Sequence, residues 1–65
     1  MSYRFKKSDK DAPVKFLGFN GKEYVGRIMQ VRQGTIVVEY AVPNHDPQCH
    51  AFLNQEQARE RVSFI

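Results

Sequence analysis

The sequence predicts a small all-β fold: four to five short strands in a strongly bent barrel, with one short helical turn before the last strand. Three observations lead there. β-branched and aromatic residues gather in short runs between residues 14 and 65. Glycine-containing turns separate those runs at Asn20-Gly21 and Gln33-Gly34, and helix-forming residues are confined to 55–60.

Residues 1–13 are polar and charged, without a sustained period, and end at Pro13. They read as a flexible or loosely docked basic arm, in which Tyr3 and Phe5 alternate with Arg4 and Lys6 and permit a short edge strand. Residues 14–65 then form the single barrel domain. The first strand is expected over 14–19, with a bulge or close backbone approach at Gly18. Asn20-Gly21 supplies a tight hairpin, because both residues tolerate positive φ.

The run from Glu23 to Arg32 alternates, yet both of its faces carry apolar residues: Tyr24 and Ile28 on one, Val25, Met29 and Val31 on the other. A long strand that swaps its buried side in a small barrel has this pattern, and Gly26 is the expected bend. After the turn at Gln33-Gly34, residues 35–42 are the most strand-like stretch, with Ile36, Val38, Tyr40 and Val42 facing the core. Residues 43–48 hold two prolines and read as a loop, and 49–53 as a fourth strand. Asn54 caps a helical turn over 55–60, too short to stand alone, and 62–65 close the fold.

The stretch Asn20-Gly21-Lys22-Glu23-Tyr24-Val25-Gly26-Arg27-Ile28, followed by the β-branched run after Gly34, resembles the second and third strands of Sm-like barrels. The same pattern fits Tudor- and KOW-type barrels, which share a bent second strand. The resemblance covers residues 14–42 and implies the barrel. It does not extend to the RNA pocket of the Sm-like bacterial chaperone, because the fourth strand reads Gln48-Cys49-His50-Ala51-Phe52 in place of an aromatic-basic-histidine triplet.

Composition bounds the function. With 65 residues there is room for one domain, and 42% hydrophobic with 26% charged residues describes a folded chain rather than a disordered one. A single cysteine forms no internal disulfide, and no run of about 18 apolar residues is present to cross a membrane. Met1 to Lys7 has no apolar stretch behind its basic residues, so the reading is cytoplasmic. The net charge of +3 divides as +2 in residues 1–13, +2 in 14–42 and −1 in 43–65. Two thirds of the net charge therefore sits in the arm.

No enzyme class fits, since there is no glycine-rich phosphate loop, no spacing that forces two carboxylates together, and no interior room in so small a barrel. His45, Asp46, Cys49 and His50 crowd into six residues, but a metal needs three or four converging ligands, and the two prolines make that wrap awkward. Neither metal nor cofactor is expected. Basic residues with interleaved aromatics instead suggest a binding module for RNA or single-stranded nucleic acid, where cations track phosphates and aromatics stack on bases. The expected contacts are Arg4, Lys6 and Lys7 from the arm, Lys22, Arg27 and Arg32 for phosphates, and Phe19 or Tyr24 for stacking. Phe19, Tyr3 and Phe5 are the aromatics expected at the surface, whereas Phe16, Tyr24 and Tyr40 also read as plain core. The alternative is an adaptor or inhibitor that docks on a larger, nucleic-acid-processing protein through an edge strand or through Asn44, His45, Asp46 and Gln48 of the 43–48 loop.

Overall fold

A computed structural model describes residues 4–65. It contains β1 (Pro13–Leu17), β2 (Glu23–Arg32), β3 (Thr35–Tyr40), β4 (Gln48–Phe52), α1 (Gln55–Arg61) and β5 (Val62–Phe64), preceded by a 3₁₀ turn at Lys7–Asp9. The strands make one antiparallel sheet in the order β4-β3-β2-β1-β5. This is a mostly β fold with one short helix, and the sheet is open: β4 and β5 are its two edges. The expected closure is missing for a physical reason. α1 packs on β1, β3, β4 and β5, and its Ala58 is fully buried there, while β5 runs for only three residues.

The core lies on one face of the sheet. Val14, Phe16, Ile28, Ile36, Val38 and Phe52 are all essentially buried, with Val31 and Val62 nearly so. Phe16 is central, meeting Phe52 edge-on at 5.9 Å and Tyr40 at 4.5 Å. Such ring pairs add about 0.5–1.5 kcal/mol each beyond the area they bury. Ile36 and Val38 face inward as expected, while β3 ends at Tyr40 and leaves Val42 half-buried in the following loop.

The change of face in β2 is present but is not at Gly26. Tyr24 and Ile28 point to the core side; the register then slips between Ile28 and Gln30, so Met29 is an extra residue and Val31 becomes the next buried one. One inserted residue reverses the alternation of every residue after it. Gly26 serves a different need. A Cβ there would overlap the Glu39 carbonyl oxygen and stand 2.8 Å from Tyr40 Cα, so the β2 and β3 backbones approach too closely for any side chain.

The two hairpins also exchange roles. Gln33 and Gly34 both have positive φ, 48° and 84°, and Arg32 pairs with Thr35 across them. That is the two-residue turn expected at Asn20-Gly21. In the β1–β2 hairpin only Gly21 has positive φ, and the loop is longer, closed by Gly18 N–H donating to Lys22 O at 2.7 Å. Asn20 contributes through its side chain, accepting from Lys22 N–H and donating to the Tyr24 hydroxyl.

The segment before the sheet belongs to the same core. Phe5, expected at the surface, is 4% exposed, and its backbone is clamped at both ends by Gln55: N–H to Oε1 at 2.7 Å and Nε2 to the carbonyl at 3.0 Å. Arg4 to Lys6 form no strand, and Tyr3 lies outside the described residues. Asn54 caps α1 as its sequence indicates, accepting from Gln57 N–H at 2.9 Å. Among the described residues no helix is long and apolar enough to cross a membrane.

Candidate nucleic-acid interface

The sequence grouped Phe19, Lys22, Tyr24, Arg27 and Arg32 as one binding face, and the fold divides them. Phe19 sits in the β1–β2 loop, 66% exposed, and leans over the core side of the sheet, where its ring lies 6.5 Å from Phe16 and 5.1 Å from the His50 ring. Tyr24 is half-buried on that same side, stacked 6.5 Å from Phe16. Arg27 and Arg32 are on the outer face. Their common side is itself a product of the bulge, since five residues apart they would otherwise point in opposite directions.

Arg27 is also engaged. Its Nη1 is 3.3 Å from Asp11 Oδ1 and its Nε 3.3 Å from Glu39 Oε1. Asp11 is placed for this by a left-handed backbone, φ 70°, and by its N–H donating to Ile28 O at 2.7 Å. Two carboxylates around one guanidinium leave no net positive charge at that spot. Arg32 is exposed at the far end of β2, roughly 16 Å of strand from Arg27.

A different arginine stands beside the exposed ring. Arg61, the last residue of α1, holds its guanidinium carbon 4.0 Å from the Phe19 ring centroid, and its Nη1 donates to both Leu17 O and Gly18 O at 3.2 Å. Those bonds tie α1 to the β1–β2 loop and fix the orientation of Phe19. Next to Arg61 a cleft of about 350 Å³ is lined by Lys15, Glu23, Arg59 and Ser63 among others, so three cations there meet two carboxylates, Glu23 and Glu60. Lys22 is exposed in the same loop as Phe19.

The arm residues lie apart. Arg4 is exposed and shares a shallow cleft with Leu53, Gln55 and Arg59. Lys6 and Lys7 are exposed around the 3₁₀ turn, where Lys6 N–H donates to Asp9 Oδ2 at 2.8 Å. Arg59 lines both Arg4's cleft, which also holds Glu56, and the Lys15 cleft, so cations interspersed with carboxylates run from Arg4 along α1 to Arg61. Neither Arg61 nor Arg59 could be assigned this role from the sequence, because no spacing links the end of α1 to a loop so distant in the chain.

The 43–48 loop is exposed throughout. Asn44 adopts φ 66°, His45 N–H donates to Val42 O, and Gln48 belongs to β4, with its Nε2 donating to Asp46 O. The two neighbours that follow divide as a strand requires. Cys49 is exposed, its sulfur 3.6 Å from Met29 Sδ, and His50 is half-buried 4.6 Å from the Phe52 ring. Among the described residues no three His, Cys, Asp or Glu side chains converge as a metal site would require.

Compared with known proteins, the chain matches no protein-family model, no curated protein and no solved structure.

Proposed function

We propose that this chain is a non-catalytic, cytoplasmic binding module for RNA or single-stranded DNA, built on a bent sheet of the Sm-like or Tudor type with its barrel left open. One observation carries the reading: an aromatic ring two-thirds exposed at Phe19, oriented by the Arg61 guanidinium and flanked in its loop by the exposed Lys22. An exposed ring held in place gives a base a surface to stack on, and neighbouring cations attract the phosphates on either side of it. The site is therefore Phe19, Lys22 and Arg61, extended by Arg59 and Arg4, while Lys15 points to the outer face between the buried Val14 and Phe16. Arg27 is outside it and Arg32 lies on the opposite face.

The test is fluorescence anisotropy of labelled mixed-sequence RNA and single-stranded DNA at low and rising salt. Phe19→Ala is expected to lower affinity about tenfold, in keeping with the roughly 1–3 kcal/mol of a base–aromatic stack. Affinity should also fall steeply as salt rises. Absence of binding at low salt would reject the reading.

The exposed 43–48 loop favours a second reading, docking on a larger protein. It is separated from the first by recovery of one stoichiometric partner that survives nuclease treatment and is lost with His45→Ala and Asp46→Ala.

A further inference from the structure

The β4 edge is unprotected. Edge strands in soluble proteins are usually blunted by lysine, proline, a bulge or a covering segment. β4 reads Gln-Cys-His-Ala-Phe, five residues with no charge, no proline and no register shift against β3. Just beyond it Leu53 is 74% exposed. On the outer surface beside the edge Ala51 stands opposite Val37, and Cys49, its sulfur against Met29, stands opposite Glu39, whose carboxylate is already paired with Arg27.

We propose that β4 is the pairing edge for a second copy of this chain, β4 against β4, antiparallel, about a two-fold axis at His50. This register places Gln48 opposite Phe52 and Cys49 opposite Ala51 of the other copy. One step further it sets Pro47 against the exposed Leu53, and then Asp46 against Asn54, so no like charges meet in a chain of net charge +3. A register one pair away would put Leu53 opposite His45 and leave that leucine without an apolar partner. The alternative of β4 pairing head-to-tail with β5 is poorer, because β5 offers only three residues and β4 offers five. Self-pairing of one patch closes the assembly at two copies, whereas a head-to-tail contact continues into rings or filaments. The central part of this interface also lies beside the candidate binding site, since His50 contacts Phe19. Two such stacks would then share one side of a ten-stranded sheet.

The experiment is sedimentation velocity on the full chain from micromolar to about millimolar concentration. Five residues per strand make a small interface, so the dimer is expected to be weak and to dissociate on dilution. Cys49→Lys with Ala51→Lys sets lysine against lysine and should abolish it. Cys49→Lys with Ala51→Glu sets each lysine against a glutamate of the other copy and should restore it. Both positions are exposed, so far-UV circular dichroism should be unchanged in each. In the unaltered chain, amide exchange in β4 should slow with concentration while that in β5 does not, which tests the interface even where a variant fails to fold. A chain that stays monomeric, that assembles beyond two copies, or whose dimer ignores the lysine pair or is not restored by the lysine–glutamate pair, overturns the proposal.

Discussion

The Arg61 guanidinium rests 4.0 Å from the centre of the Phe19 ring while bonding the two carbonyls that precede it, Leu17 O and Gly18 O. One side chain thus ties the C-terminal end of α1 to the first hairpin. It also places a cation where the helix dipole favours one.

Arg61→Ala is expected to destabilise the fold by about 1–2 kcal/mol, combining a partly exposed cation–π contact with charge-assisted bonds to the two carbonyls. Arg61→Lys should recover little of that, because one ammonium cannot reproduce a planar group that covers a ring and donates along its edge. Urea unfolding measures both. A lysine variant as stable as the parent would show that charge alone matters, and would remove the basis for a fixed Phe19.

Phe5→Ala should be far more damaging than its place near the start of the chain suggests. Truncating a buried phenylalanine costs about 3–5 kcal/mol, and Phe5 is 4% exposed with Gln55 bonded to its backbone on both sides. In a domain of 65 residues that is comparable to the whole stability. Arg4→Ala, at an exposed neighbour, should change the melting temperature by no more than a degree or two. Equal effects of the two would show that the segment does not contribute to the core.

These differences mark where the sequence was legible. Strand existence was legible: 23–32 lies where the alternation puts it, the β-branched run expected over 35–42 ends at Tyr40, the strand expected over 49–53 is shifted by one residue to 48–52, and Asn54 caps the helix as its type demands. What the pattern could not locate was anything set by contact between distant segments. Apolar residues on both faces of β2 revealed that the strand changes sides, but whether a glycine bends it or a bulge at Met29 shifts it depends on the register with β3. Asn-Gly and Gln-Gly are both turn signals, and loop length, which composition does not specify, decided which became the two-residue turn. The same holds for the site. Phe19 was identifiable as an exposed ring, although it was expected within a first strand that ends at Leu17, whereas its partner Arg61 became visible only once α1 was docked.

Gly26→Ala is expected to be among the most disruptive single changes, beyond the roughly 1 kcal/mol range of a simple glycine substitution, because the methyl group would meet backbone atoms of Glu39 and Tyr40 that have no freedom to move without parting β2 from β3. Gly18→Ala offers the comparison. Its Cβ would come within 2.9 Å of the Asn20 and Tyr24 side chains, which can rotate away, although the Lys22 carbonyl at 3.3 Å is fixed. Thermal unfolding should rank Gly26→Ala well below Gly18→Ala. The reverse order would mean that the β2–β3 approach tolerates a side chain.

Arg27 tests the division of the basic residues between two faces. Its ion pairs join side chains that are 53% exposed at Arg27, 62% at Asp11 and 28% at Glu39, so each contributes no more than about 1 kcal/mol after solvent screening. Arg27→Ala should therefore leave stability nearly intact. If nucleic acid binds around Phe19, the same change should alter affinity by less than about twofold, since a guanidinium already shared by two carboxylates attracts few phosphates and is on the wrong face. Lys22→Ala, in the Phe19 loop, should weaken binding to every sequence and lower the salt dependence by about one phosphate contact. A larger loss with Arg27→Ala than with Lys22→Ala would move the interface to the outer face of β2, where Arg27 and Arg32 both point.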